Sequence, residues 1–473
     1  MIKKLFLLAV LLLSFSSTSL YAQENQEGKS YDSTARDYFL SLFDTTMMEI
    51  VVVSYNMAIT HEDYAMISLE SMKNNLMSAW WWDMDEFYIN QLYHPYQGSM
   101  YFITGRANGL GFWESFIPNV YGTLMWEYFM EIDTPAVNDF ITTSITGPFV
   151  GEMFHRTYKL LDKNFMPLAI LISPFDALCE LINGKSAPHP EVSFYELNVS
   201  TGYSFLSSNL YLQNNPLYNY SAYPNSTYDY KAYNNSSNFN GTLNFNYGKR
   251  FGHDTKEPFD VFSFQAKTID STSLYYYSFL TDGFIWSKAL NIAGDATFSL
   301  LYNFDYVMSC NINYSNSSIG CGFDYRPYLS QDESSSFSFG TSWSLSINGA
   351  SEFFHLHNTY IRGDSEHNKQ RLYSLGFGLN EKSYLKYDDP LIGTFYVNHF
   401  FSLFYNPKFT VSTLGSTGWD LICYLEAGYE HKIYKNIYLG ISDLFYYKKG
   451  FYNTAENVTH SMNFINLYVG YRF

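Results

Sequence analysis

Several segments in the second half of the chain alternate between apolar and polar residues at every second position. In "ATFSLLYNFDY", which begins at Ala296, one face is aromatic or aliphatic and the other is Thr, Ser, Asn or Asp. The segments "SFSFGTSWSLSI" and "FNGTLNFNYG" repeat the pattern. A period of two is that of a half-buried strand. Runs of about ten residues match a tilted transmembrane strand, and small uncharged polar residues suit a water-filled lumen.

The end of the chain strengthens this interpretation. In "INLYVGYRF", every second residue from Ile465 to Phe473 is apolar, and the chain stops on an aromatic residue. This segment resembles the C-terminal strand of bacterial outer-membrane barrels, which the barrel-assembly machinery reads. The predicted fold class is an all-β transmembrane barrel of about 12–14 antiparallel strands over residues 190–473. A secreted soluble sandwich is the alternative, but it leaves the wide aromatic faces unexplained.

Residues 98–162 do not alternate and instead repeat at helical steps of three and four. The pattern predicts a first helix from Gly98 that breaks at Pro118, and a later helix that starts at Gly147. We assign residues 85–185 to a helical unit and residues 23–84 to an N-terminal extension of unassigned structure. Two pairs of glycines four residues apart, Gly105 with Gly109 and Gly147 with Gly151, predict close helix packing. Because the helices are short and charged, we expect them to avoid lipid and to plug the barrel or cap its periplasmic end.

The N-terminus predicts export. Residues 1–22 combine Lys3 and Lys4, an apolar stretch and a small-residue exit, which is the pattern of a signal peptide. A mean hydropathy of -0.18 excludes a many-helix inner-membrane protein, whereas 20% aromatic residues suit a membrane barrel. The formal charge of -17, without a basic cluster, excludes nucleic-acid binding. The expected location is the bacterial outer membrane, with its lipids and the barrel-assembly machinery as partners.

A resemblance to a known family covers the helical unit. The segments "HPYQGSMYFITGRANGLGFWES", "WEYFMEIDTPAVNDFITT", "GPFVGE" and "LINGK" resemble domain of unknown function family 3943, from uncharacterised bacterial outer-membrane proteins. The resemblance covers roughly residues 85–185. It implies an outer-membrane protein, and it supplies no reaction because the family has none assigned.

Two chemical interpretations compete over the polar residues of the helical unit. One is a lipid-modifying hydrolase with Ser99 as nucleophile, His94 as base, and Glu127 or Asp139 as the orienting acid. However, Ser99 lies outside a G-x-S-x-G turn and fits a helix N-cap equally well. The other interpretation is a metal site, but a di-metal bundle needs two E-x-x-H motifs and only "EMFH" is present. We therefore predict neither a metal nor a cofactor.

A structural ion-pair network accounts for the same residues. Charges inside a small bundle must be paired, because an unpaired buried charge costs several kcal/mol. We expect Glu127 to pair with Arg106, and His94 to pair with Glu127 or Asp139. The predicted network consists of Arg106, Glu114, Glu127, Glu131, Asp139, Glu152, His155 and Arg156.

This network favours a protein that is not an enzyme. The expected role of the whole chain is passage of a small molecule or envelope organisation, and the lipid-modifying hydrolase is the alternative. The segment between Cys310 and Cys321 predicts a hairpin centred near Ser315 and Asn316. Pairing across that hairpin would bring the two cysteines together, so we predict a possible disulfide between them.

Overall fold

The computed structural model describes residues 33–83, 85, 87–163, 165–184, 186–189, 195–213, 233–270, 275–309, 313–328, 335–352, 373–410, 416–453 and 457–473. The chain forms two compact units, which are helical within residues 33–189 and all-β within residues 195–473. The predicted signal peptide lies outside the described residues. The predicted plugging or capping of the barrel by the helical unit stays a prediction.

The described part of the helical unit contains eight α-helices and four single π-helical turns. The α-helices are α1 (Ala35–Tyr55), α2 (Leu69–Met77), α3 (His94–Ala107), α4 (Phe116–Met125), α5 (Val137–Ile141), α6 (Gly147–Leu161), α7 (Met166–Ile172) and α8 (Pro174–Asn183). The π-helical turns are Asn56–Thr60, Ile89–Tyr93, Trp126–Met130 and Thr142–Thr146. The helices therefore begin within residues 23–84, the segment whose structure the sequence left unassigned.

Helices α3 and α6 form the centre of the unit and approach each other closely. A Cβ atom at Gly147 would lie 2.5 Å from the Cα of Gly98, and one at Gly151 would lie 2.9 Å from the carbonyl oxygen of Ser99. Without side chains at these positions the two backbones can touch. The predicted role of Gly147 and Gly151 in close packing is confirmed.

The start of α3 differs from the prediction. The π-helical turn Ile89–Tyr93 continues directly into α3, so Ser99 lies within the helix and not at its N-cap. Its hydroxyl donates to the backbone carbonyl of Tyr96 at 2.6 Å. Pro118 does not break a helix either. It lies in the first turn of α4, where a missing N–H leaves no helical hydrogen bond unmade.

The helical unit buries polar side chains and exposes apolar ones. Helix α1 buries Asp44 and Glu49, while Phe43 and Val51 are exposed. The charges of these helices therefore lie on their inner faces, and the expectation that the short helices of residues 85–185 avoid lipid stays a prediction. The large exposed apolar side chains of α1, α7 and α8 are Phe39, Phe43, Met47, Ile50, Val51, Tyr55, Met166, Ile170, Leu171, Leu178, Leu181 and Ile182.

Twelve antiparallel strands close into a barrel, because β1 pairs with β12 as well as with β2. The strands are β1 (Tyr195–Gln213), β2 (Tyr233–Tyr247), β3 (Phe262–Asp270), β4 (Tyr275–Leu290), β5 (Asp295–Ser309), β6 (Tyr314–Arg326), β7 (Ser336–Glu352), β8 (Tyr373–Asp389), β9 (Gly393–Asn406), β10 (Gly418–Tyr434), β11 (Ile437–Tyr452) and β12 (Asn457–Arg472). Each strand pairs with its neighbours in the chain.

The two faces of each strand differ as the alternation predicts. On β7, Trp343 and Leu345 are exposed on the outside, whereas Ser344 and Ser346 are buried in the lumen. An apolar outside and a polar inside are the faces of a barrel that crosses a membrane. The predicted transmembrane barrel is confirmed, with twelve strands.

The hairpin between β5 and β6 is displaced from its predicted position. Strand β5 ends at Ser309 and β6 begins at Tyr314, so Ser315 and Asn316 lie inside a strand. Both small polar side chains are buried, and composition alone made them look like a turn. Cys321 lies opposite Leu300, and it is a free thiol, as are the described Cys179 and Cys423. Cys310, its predicted partner, lies outside the described residues.

Candidate functional site

A cavity of about 720 Å³ occupies the part of the lumen nearest the end where β1 begins and β12 ends. Its walls carry charges of both signs, together with Asn, Ser and Tyr side chains. Representative lining residues are Glu196, Asn246, Arg250, Lys267, Asp282, Lys382, Tyr396, Glu426, Glu430, Tyr468 and Arg472. The cavity is therefore polar, as the strand patterning predicted for the lumen.

An ion pair crosses the lumen within this cavity. Nζ of Lys267 on β3 lies 2.5 Å from Oε1 of Glu426 on β10. Four strands separate β3 from β10 along one side of the barrel and six along the other, so the two residues project from nearly opposite walls. Both side chains are almost completely buried. A second pair, between Lys382 on β8 and Asp305 on β5, spans 2.6 Å. These pairs form the ionic layer.

Apolar and aromatic side chains fill the lumen beyond the ionic layer. The ring of Tyr276 on β4 lies 6.3 Å from that of Tyr446 on β11 and 5.3 Å from that of Phe464 on β12. The apolar layer consists of Leu206, Ile269, Tyr276, Val307, Tyr314, Phe400, Phe404, Ile422, Tyr424, Leu444, Tyr446, Met462 and Phe464. The cavity thus ends at side chains that the barrel itself supplies.

Charged residues also form ion pairs near the mouth of the cavity. The guanidinium of Arg472 lies 3.1 Å from Glu430 and 3.3 Å from Glu196. Arg250, from the connection between β2 and β3, pairs with Asp282 and lies 3.3 Å from Asp324. The lumen therefore holds more charge than the uncharged polar faces of the strands predicted. Alternation at every second position was the signal for the strand residues, whereas Arg250 lies in a connection and carried no such signal.

In the helical unit, the structure brings together two of the four candidate catalytic residues. Nε2 of His94 lies 3.6 Å from Oδ1 of Asp139, and Nδ1 of His94 lies 3.3 Å from the hydroxyl of Thr143. Burial lowers the pKa of His94 to about 4, although the charge of Asp83 opposes this shift. Burial likewise raises the pKa of Asp139 well above its ordinary value. The predicted contact of His94 with Asp139 exists, and burial disfavours the charged form of both groups.

The structure does not assemble the predicted hydrolase. The hydroxyl of Ser99 is completely buried and donates to the backbone, and the two ring nitrogens of His94 face Asp139 and Thr143. Glu127 accepts a hydrogen bond from the backbone N–H of Ala136 at 2.7 Å. Burial raises the pKa of Glu127 to about 8, which that hydrogen bond opposes and neighbouring acidic groups reinforce. The geometry supports packing here and supplies no nucleophile.

The ion-pair network centres on Glu152. Its carboxylate lies 2.8 Å from Nε of Arg106 and accepts a 2.7 Å hydrogen bond from Nε of Arg156. Although burial opposes ionisation, the two arginines hold the pKa of Glu152 below its ordinary value. The predicted pair of Glu127 with Arg106 is wrong. Arg106 instead contacts Glu152 on α6, and Glu127 accepts a hydrogen bond from the backbone of Ala136.

The other predicted members of the network have different partners. Glu114 accepts hydrogen bonds from Tyr38 at 2.8 Å and from Ser33, and Glu131 accepts one from the indole of Trp126 at 3.0 Å. Neither acidic side chain forms an ion pair with Arg106 or Arg156. Each accepts hydrogen bonds from nearby hydroxyl, backbone or indole donors instead.

Two partners of α6 were missed in the sequence. His155 and Lys159 lie on α6, and Asp176 and Glu180 lie on α8. His155 is 2.6 Å from Asp176, and Lys159 pairs with Glu180. The spacing of four residues within each helix was the available signal, because it places each pair of residues on one face. Among the described residues, no group of three His, Cys, Asp or Glu side chains is arranged to hold a metal ion.

A comparison with family models decides the resemblance stated above. Residues 79–170 match the model described as "Domain of unknown function (DUF3943)". The chain is therefore similar to this family over residues 79–170. The matched segment spans α3 to α6, so it contains the Glu152 network and the His94–Asp139 contact. No curated protein matches the chain.

Solved structures with similar folds are distant in sequence. A FadL homologue from Pseudomonas aeruginosa is 8% identical with a TM-score of 0.24, and the alignment covers 59% of this chain and 90% of that chain. The transport unit of the autotransporter AIDA-I from Escherichia coli is 10% identical with a TM-score of 0.24, over 58% and 90%. The CymD monoaromatic hydrocarbon channel is 8% identical with a TM-score of 0.21, over 59% and 88%. The barrel is established by its strand pairing and not by these alignments.

Proposed function

We propose that the chain is an outer-membrane barrel that passes small polar molecules through a gate made of its own side chains. The observation that carries this proposal is the cavity in the lumen, which the Lys267–Glu426 pair crosses and which ends at the apolar layer. Lys and Glu have flexible side chains, so the pair can open by rotamer changes while every strand stays in place. The cavity walls carry charges of both signs, which favours uncharged or zwitterionic molecules over ions of one sign.

The proposed location rests on the outer surface of the barrel. Exposed apolar residues occupy alternate positions on its strands, for example Trp343, Leu345, Leu467 and Val469. The two longest connections join β1 to β2 and β7 to β8, at the end away from the chain's last strand residue. Long loops on the outside and shorter turns on the periplasmic side are typical of such barrels, so we place the cavity mouth on the periplasmic side. Membrane fractionation of cells that express the chain tests the location.

Conductance in a planar lipid bilayer tests the gate. The wild-type protein is expected to conduct weakly, because side chains cross its lumen. Replacing both Lys267 and Glu426 by Ser removes the two charges together and leaves neither one unpaired. Because the apolar layer also fills the lumen, this double variant is made in a background that carries Tyr276→Ser and Tyr446→Ser. We expect it to conduct several-fold more than that background alone.

The exposed pair of Lys288 and Asp254 provides a matched control, because it has the same chemistry outside the lumen. The double Ser variant of that pair, made in the same background, should conduct like that background alone. Heat-dependent mobility in gel electrophoresis confirms that each barrel is folded before it is measured. A folded Lys267→Ser/Glu426→Ser variant that conducts no better than the Tyr276→Ser/Tyr446→Ser background would refute the gate.

A further inference from the structure

The exposed face of α1 and its π-helical turn is apolar along its whole length. Phe39 is 67% exposed and Val51 is 63% exposed, and further large apolar side chains lie between and beyond them. The three acidic residues of this segment, Asp37, Asp44 and Glu49, are all buried. Around this segment, exposed Asp, Glu, Lys, Arg and His residues occur only at Arg36 in the first turn of α1 and at residues 61–63 after the π-helical turn.

The length of this face matches a bilayer. The stripe from Phe39 to Ile59 covers 21 residues, which corresponds to about 30 Å of helix and to the thickness of a hydrocarbon core. By length and composition, Ala35–Thr60 is the one described helix able to cross a membrane, and only 28% of its most apolar window is buried inside the protein. A soluble core helix of this composition would be mostly buried.

Helices α7 and α8 present a second surface of the same kind. The two helices meet at a bend of 109° and together pass the same length and composition test. Leu181 is 80% exposed, and Ile170 lies on the exposed side of α7. The acidic residues of α8 face inward, where Asp176 meets His155 and Glu180 meets Lys159. Two separate parts of the unit therefore show the same inverted polarity.

This arrangement is costly in water, because the apolar faces stay hydrated while charges lose their hydration inside. In a bilayer the cost reverses, since intramembrane charges face the interior of a bundle and pair with one another. We infer that the exposed faces of α1, α7 and α8 contact the hydrocarbon core of a lipid bilayer. This inference concerns the helical unit and does not depend on conduction through the barrel.

Spin labels on the full chain test the inference in vesicles of dilauroylphosphatidylcholine. Cys310, Cys321 and Cys423 are first replaced by Ser, and one new cysteine is then placed by Phe43→Cys or Val51→Cys. In lipid contact, each label is relaxed more strongly by oxygen, which concentrates in hydrocarbon, than by a water-soluble nickel complex. The matched control, Glu62→Cys, lies just beyond the apolar stripe and should show the opposite preference.

Each outcome supports or overturns lipid contact. Preference for the nickel complex at both α1 positions would show that water covers the face, and protection from both reagents would show that protein covers it, for instance a second copy. Either result overturns the inference. A Val51→Asp variant gives a second readout. An acidic residue in hydrocarbon should lower the equilibrium constant for placing α1 in the bilayer roughly 100-fold. The label at position 43 would then gain nickel accessibility, whereas Lys73→Asp on the polar helix α2 should change nothing.

Discussion

Removing the charge of Glu152 is expected to destabilise the helical unit strongly. This carboxylate has no exposed surface, and it lies between the guanidinium groups of Arg106 and Arg156 at 2.8 and 2.7 Å. Both arginines are almost completely buried as well. The substitution Glu152→Gln keeps the shape of the side chain, but it leaves two buried cations without their shared anion. We therefore expect a loss of about 3–5 kcal/mol in the free energy of unfolding.

Urea unfolding of the full chain measures this loss, with circular dichroism at the helical wavelength as the signal for the helical unit. With a denaturant slope of about 2 kcal/mol per molar urea, the loss corresponds to a transition about 2 M lower. The exposed Glu62 provides a control, since Glu62→Gln removes a charge of the same type and should stay within about 0.5 kcal/mol of wild type.

A triple variant separates charge from packing. Replacing Glu152 by Leu together with Arg106→Met and Arg156→Met removes all three charges and keeps most of the volume. Replacing a whole buried charge cluster by apolar residues is often neutral or stabilising, so this variant should be more stable than Glu152→Gln. The reasoning fails if Glu152→Gln unfolds at the wild-type urea concentration, or if the triple variant is the less stable of the two.

Three further predictions follow from the same geometry. Glu127→Gln should stabilise the unit increasingly from about pH 4.5 to pH 8, because the raised pKa of Glu127 makes wild type lose stability as pH rises through that window. The largest expected gain in the free energy of unfolding is about 5 kcal/mol. A difference in urea midpoints that does not change with pH would contradict this prediction. Gly147→Val should cost at least about 1–3 kcal/mol in the same titration, because α3 and α6 must separate; unchanged unfolding would contradict the contact. Leu345→Arg should cost about 2–4 kcal/mol in barrel folding into vesicles, whereas Leu391→Arg in a turn should cost about 0–1 kcal/mol, and equal costs would contradict a lipid-facing Leu345.

The barrel was predictable because the residue pattern of each strand depends directly on what its two faces contact. Each strand has one face toward lipid and one toward the lumen, so alternation locates both faces without any knowledge of neighbouring strands. What alternation cannot supply is the pairing of side chains across the lumen. Lys267 and Glu426 are 159 positions apart, and they meet only because closure of the sheet brings their two walls together. The position of the β5–β6 turn was missed for a related reason, since Ser and Asn serve both turns and lumens.

In the helical unit, the composition of the network was predictable but its pairing was not. Buried arginines need carboxylates, so Arg106 and Glu152 were expected to belong to one network. Choosing between Glu127 and Glu152 as the partner of Arg106 requires knowing which helices touch. That contact is decided by Gly98, Gly147 and Gly151, which bring α3 and α6 together and carry Glu152 toward Arg106. The glycine spacing was visible in the sequence, but not which helix each pair would meet.

The direction in which the amphipathic helices face could not be predicted from the sequence. A helical period shows that a helix has a polar and an apolar side, but it does not say which side is inside. Charged residues usually lie on the surface of a protein in water, and on that ground we expected the short charged helices to avoid lipid. Asp44 and Glu49 lie on the protein side of α1, while Phe43 and Val51 lie outside. For a chain with a transmembrane barrel, charged residues on short helices therefore do not exclude lipid contact, because ion pairs such as Glu152 with Arg106 and Arg156 can hold such a bundle together from within.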